Sequence, residues 1–120
     1  MPLSGIRVID MGTLIAGPFA ATMLGDFGAE VIKVEQPGRG DALRGSPVDG
    51  EAQRSPNWLI EARNKKSVTA NLRVPEGQAL LKALVETAVE SVTLSRSRIQ
   101  GGPSWFRQPD YRLFPFNQPF

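Results

Sequence analysis

The stretch from Ile6 to Glu35 constrains the fold most, because it reads as strand, helix, strand within about thirty residues. Ile6 to Asp10 (IRVID) alternates and is rich in β-branched residues, as a strand requires. Gly17-Pro18 then opens a helix, since proline suits a first turn whose N–H groups have no partner. Phe19, Met23 and Phe27 recur at i, i+4 and i+8, with Ala20 and Leu24 widening the apolar stripe expected to face the core. Gly28 stands where a helix needs a left-handed residue to stop. Glu30 to Glu35 (EVIKVE) is a second strand. Such a unit implies a parallel pair joined by a right-handed crossover.

Downstream, Gln36 to Pro56 carries four Gly and three Pro and reads as a long loop. Asn57 to Glu61 suits a short helix, Arg63 to Lys66 a basic turn, and Ser67 to Leu72 a third strand. Pro75 and Glu76 mark a helix start, with Leu80, Leu81, Leu84, Val85 and Ala88 as its buried face. After Ala88 the text changes. Val89 to Leu94 is weakly strand-like, and Ser95 to Phe120 mixes Ser, Arg, Gly and Pro with scattered aromatics at no fixed period. The expected division is therefore an α/β segment over residues 1–88 and a divergent, irregular tail over 89–120. With three strands and two principal helices, the sheet edges stay open and poor stability is expected.

The 120 residues suit one small domain. They include no Cys and no His, which excludes disulfides, the usual zinc sites and Cys or His catalysis within this sequence. No metal is expected. The net charge of +2 comes from Lys and Arg spread along the chain, giving little support to nucleic-acid binding. Charged residues interrupt every apolar run, and Met1 to Asp10 lacks a signal-peptide pattern, so a soluble, cytoplasmic protein away from membranes is expected.

The corner Leu14, Ile15, Ala16 and Gly17 lies between a strand end and a helix start, where open α/β sheets bind anionic ligands. Neither a G-x-G-x-x-G nor a G-x-x-x-x-G-K-[ST] pattern is present. Local chemistry thus leaves open whether this corner binds a ligand or only lets the helix sit close to the sheet. Arg39 and Arg44 in "PGRGDALR", and Arg63, Lys65, Lys66 and Arg73 around the third strand, could pair with phosphates or be solvated surface charge. The Arg39-Gly40-Asp41 triplet reads as chance. Asp10, Asp26, Glu35, Asp41 and Asp49 show no partner at catalytic spacing and read as surface or capping groups.

Together, "GIRVIDMGTLIAGPFAATMLGDFGAEVIKVEQPGRGDALRG" and "RNKKSVTANLRVPEGQALLKALVETA" resemble the N-terminal segment of family III CoA-transferases, from about Leu3 to Ala88. This family includes formyl-CoA transferase, carnitine CoA-transferase and α-methylacyl-CoA racemase. The resemblance implies a partial Rossmann-like parallel sheet with flanking helices, belonging in full-length members to an interlocked homodimer with a second, smaller domain. It implies acyl-CoA metabolism, with CoA moved between carboxylic acids through intermediates on an Asp carboxylate, or an α-proton exchanged in racemases.

Carried over by position, Leu14, Ile15 and Ala16 match the contact with the CoA nucleotide end. Gln36 stands where many members have an Arg near the adenosine phosphate, and Arg39 can substitute for it. Ala70, Asn71 and Arg73 match a group lining the CoA site, with Arg73 in place of a common Lys; Lys65 and Lys66 match the basic turn beside it. The family's catalytic Asp lies in a segment this sequence lacks, and Asp110 in "QPDY" does not match it, so no catalytic residue is assigned. The expectation is a truncated transferase with a frameshifted or mis-called tail, inactive alone. The alternatives are a non-catalytic CoA- or nucleotide-binding module and a fragment of a racemase.

Overall fold

A computed structural model describes residues 1–13, 15–45, 55–87 and 91–94. The chain runs β1 (Arg7–Asp10), α1 (Ala16–Asp26), β2 (Glu30–Glu35), a 3₁₀ turn (Ala42–Arg44), α2 (Pro56–Glu61), β3 (Lys65–Thr69), α3 (Pro75–Glu86) and β4 (Ser91–Leu94). The four strands form one parallel sheet in the order β3-β2-β1-β4. The weakly strand-like segment after α3 is therefore a fourth strand beside β1, where three strands were expected.

Strand alternation sends residues to two faces, each covered by a helix. Val8 and Val31 pack with Ala21 and Ala29, with Leu24 of α1 closing over them. Ile9 packs on the opposite face with Leu81, and Ile32, Val34, Leu84 and Val85 complete that layer. The chain moves outward through β2 to β3 and then returns past β1 to β4. The two principal crossovers thus lie on opposite faces, as right-handed connections demand.

The expected core stripe of α1 is corrected by the structure. Phe19, Met23 and Phe27 are 51%, 39% and 51% exposed, while Pro18, Ala21 and Thr22 are buried. The reason is close approach. A Cβ placed on Gly25 would come 3.2 Å from the Val31 Cγ2, so only small residues fit between helix and sheet. Apolarity at helical spacing marked the wrong side because the buried side is lined by small residues. Leu80 of α3 is likewise exposed, whereas Leu81 is buried and Leu84 and Val85 are half-buried; Ala88 lies outside the described residues.

Gly28 behaves as the sequence predicts. Its φ is +101°, its N–H bonds the Gly25 carbonyl at 2.9 Å, and the Ala29 N–H reaches back to Leu24 at 3.1 Å. That pair of bonds closes a Schellman end. β3 begins two residues earlier than expected. Lys65 and Lys66 are strand residues rather than a turn, because Lys65 is drawn to Asp10 and Lys66 to Glu30 across the sheet.

Gly77, in the first turn of α3, is required by contact. A Cβ there would stand 2.0 Å from the Asn71 carbonyl oxygen. Gly77→Ala is expected to destabilise the fold by about 1–3 kcal/mol through overpacking, read as a lower urea midpoint at unchanged slope.

Candidate functional site

In open parallel sheets the carboxyl ends of the strands form the ligand edge. Here that edge is built by the segments after Asp10, Glu35 and Thr69. Beneath it, on the α1 face, lies a charged layer where a helix-covered sheet is ordinarily apolar. Asp10 pairs with Lys33, Glu35 pairs with Ser67 and Arg44, and Asp10, Lys33, Glu35 and Asp41 are buried.

Lys33 is the centre of this layer. Its ammonium is 2.9 Å from Asp41 Oδ2 and 3.5 Å from Asp10 Oδ2, and it donates to the Gly12 carbonyl. Lys65 donates to the same Asp10 oxygen at 2.9 Å and to the Pro18 carbonyl at 2.7 Å. Asp10 also accepts the Gly12 N–H at 2.9 Å. Two carboxylates, Asp10 and Asp41, thus face the two ammonium groups of Lys33 and Lys65. Burial lowers the Lys65 pKa, against the upward pull of Asp10.

Glu35 forms the second anchor. Arg44 grips it with two bonds, of 2.6 and 2.8 Å, the Ser67 hydroxyl donates at 2.5 Å, and the Asp41 N–H donates at 2.8 Å. Burial pushes the Glu35 carboxyl up, but these donors and the Arg44 charge outweigh it and hold its pKa at about 2. Arg44 in turn lies 4.0 Å over the Trp58 ring of α2. The three acids expected at the surface, Asp10, Glu35 and Asp41, are therefore corrected to buried structural anchors. The capping reading holds for Asp41, which accepts the Leu43 N–H at 2.7 Å. Asp26 is the surface group expected, paired with Arg63; Asp49 and Asp110 lie outside the described residues.

Of the residues expected from sequence to contact CoA, the described ones lie at this edge. Leu14 lies outside the described residues; Ile15 and Ala16 are exposed at the start of α1. Gln36 and Arg39 are exposed after β2. Ala70 is buried just past β3, its N–H bonded to the Glu35 carbonyl at 2.9 Å. Asn71 is half-buried and its Oδ1 accepts the Arg73 N–H at 3.1 Å, leaving the Arg73 side chain exposed.

The disposition of charge separates the cations into two sets. Arg7, Lys33, Arg44, Arg63, Lys65, Lys66 and Lys82 each face a carboxylate. Of the basic side chains considered for anion binding, Arg44, Arg63, Lys65 and Lys66 are thus already engaged. Arg39 and Arg73 have no hydrogen bond, ion pair or ring contact from their side chains among the described residues. Both follow the carboxyl ends of adjacent strands, β2 and β3.

The family model for CoA-transferase family III matches residues 3–93. The chain belongs to that family. It is 54% identical over 84 residues to the succinyl-CoA–D-citramalate CoA-transferase of Chloroflexus aurantiacus, covering 70% of this chain and 21% of that protein. It is 48% identical over 93 residues to the succinate–glutarate CoA-transferase of Agrobacterium fabrum, covering 72% and 23%. A CAIB/BAIF family protein from Brucella suis superposes with a TM-score of 0.65 at 39% identity, over 78% of this chain and 25% of that one. The chain thus spans about a fifth of the length of these curated relatives.

The match continues through most of β4, past the Ala88 at which sequence reading ended the resemblance. Sequence reading missed the buried ionic layer. The available signal was the pair Lys33 and Glu35 in EVIKVE, charged at alternate positions of a central strand that has helices on both faces. Among the described residues no helix is long and apolar enough to cross a membrane, and no cluster of His, Cys, Asp and Glu is arranged for a metal.

Proposed function

We propose that this chain is the CoA-holding part of a family III CoA-transferase, binding CoA or an acyl-CoA along the carboxyl edge of its sheet. The observation that carries this is the pair Arg39 and Arg73, the basic side chains that have no partner among the described residues where β2 and β3 end. The nucleotide end of CoA is strongly anionic, and guanidinium groups suit phosphates through paired N–H donors. Ile15 and Ala16 add the exposed start of α1, where N–H groups point outward. Gln36, Ala70 and Asn71 complete the set, with Leu14 beside them in sequence.

Such a chain holds CoA but does not transfer it. Acyl transfer in the family runs through an Asp nucleophile, and among the described residues the acids on this edge, Asp10, Glu35 and Asp41, do not fit that role. Asp10, Glu35 and Asp41 are consumed by buried cations and backbone donors. The 120-residue chain is therefore expected to bind CoA without exchanging it between succinate and other carboxylic acids.

Titration calorimetry with CoA tests the reading. Arg39→Ala and Arg73→Ala are each expected to weaken binding by roughly tenfold, the scale of one charge-assisted contact. Affinity is expected to fall as salt is raised, since both contacts are exposed. Unchanged affinity in the double variant would remove the CoA edge from its proposed place.

A further inference from the structure

Among the described residues, Arg39 differs from every paired basic residue in how its backbone is held. It sits between Gly38 and Gly40, whose φ angles of +78° and +69° favour glycine. The Gly40 N–H closes the turn on the Gln36 carbonyl at 2.9 Å. A Cβ at Gly40 would meet Arg44 Cδ at 2.6 Å and Glu35 Oε2 at 3.0 Å, so the turn is pressed against the anchor below. Asp41 then fixes its far end at three points: its N–H to Glu35, its Oδ2 to Lys33, and its Oδ1 to the Leu43 N–H. Among the described residues the tip is solvent-exposed and without a partner, while Asp41 at its base is buried and bonded to Glu35, Lys33 and Leu43.

A loop of this kind presents a cation at low entropic cost, because the backbone carrying it is ordered before any ligand arrives. From this we infer that Asp41 is a positioning residue for anion binding, acting through Arg39 by holding the Gln36–Gly40 turn in one conformation. The inference rests on the CoA reading above and adds to it a residue that touches no ligand. The shared ion pair also joins the two ligand-facing corners. Lys33 bonds both Asp41, below the Arg39 turn, and the Gly12 carbonyl, in the corner after β1.

A double-mutant cycle on CoA affinity tests it, using the full chain with Arg39→Ala, Asp41→Asn and both together. Asp41→Asn is expected to weaken CoA binding about tenfold when Arg39 is present, and less than twofold when Arg39 is already alanine. Equal losses in both backgrounds would overturn the inference and leave Asp41 with a role in folding only. No loss in either background would overturn it too. An unaffected Arg39→Ala variant would instead refute the CoA contact of Arg39, and the positioning role with it. Should Asp41→Asn fail to fold, Lys33→Met with Asp41→Leu removes both buried charges together, and the same Arg39-dependent loss is expected. In the wild type the Gly40 amide is expected to exchange slowly with solvent, and in the folded Asp41 variants at least tenfold faster. Equal exchange would contradict the inference independently of CoA.

Discussion

Replacing Lys33 with alanine is expected to cost about 3–5 kcal/mol of folding stability, enough to unfold much of a domain of this size at room temperature. The substitution strands Asp41, whose carboxylate keeps one hydrogen bond among the described residues, from the Leu43 N–H, and removes the donor to the Gly12 carbonyl. Asp10 fares better, because Lys65 still stands 2.9 Å from it. The loss is the desolvation cost of an unpaired buried charge rather than the net worth of the ion pair. The control follows from the same reasoning. Lys33→Met with Asp41→Leu removes both charges and is expected to recover most of the loss. Urea unfolding followed by circular dichroism measures both. A Lys33→Ala variant within 1 kcal/mol of wild type (roughly a fivefold change in the folding equilibrium) would mean the layer is hydrated and open.

The second large effect is acid destabilisation through Glu35. Its carboxyl is held at about 2, below the ordinary 4.5, by Arg44, Ser67 and the Asp41 N–H acting against burial. A depressed folded-state pKa gives stability that is fully present above the unfolded value and lost as pH falls through the folded one. The window is therefore from pH 4.5 down to about 2. Across it the Glu35 contribution of about 3 kcal/mol is expected to disappear, at 1.36 kcal/mol per unit. Glu35→Gln is expected to start less stable at neutral pH and to show a shallower acid decline over the same window. Parallel pH profiles for the two proteins would assign the acid sensitivity to other carboxylates.

The fold was legible where local chemistry and tertiary context agree. EVIKVE has the β period, and its strand bounds match the structure residue for residue. Gly28 had one stereochemical reason to be glycine, and it takes the left-handed conformation that reason requires. The Pro75 helix start rested on the same kind of local rule. Reading failed where tertiary contact decides. Phe19, Met23 and Phe27 have the right period and the wrong direction, because helix and sheet approach through Ala21, Thr22 and Gly25. Ile15, Leu59 and Ile60 are exposed as well, so both α1 and α2 carry apolar surface the described residues do not cover.

The site was legible in its placement and not in its charge pairing. Arg39, Arg44, Lys65, Lys66 and Arg73 are equivalent as letters, each a cation near a strand end. Only the sheet register brings Lys65 to Asp10 and Lys66 to Glu30, and only the folded loop brings Arg44 to Glu35. Pairing subtracts these from the anion-binding candidates and leaves Arg39 and Arg73. It also gives Asp10, Glu35 and Asp41 a role that spacing along the chain does not reveal.

CoA is proposed to lie along the carboxyl edge of the sheet, over Arg39 and Arg73. Amide chemical-shift mapping of the labelled chain titrated with CoA checks this placement. Shifts are predicted to cluster in Gly12–Ala16, Gln36–Gly40 and Ala70–Arg73, with Ile6, Glu30 and Lys66 at the opposite edge unmoved. Shifts confined to that opposite edge, or none at millimolar CoA (a binding free energy weaker than about −4 kcal/mol), would contradict it.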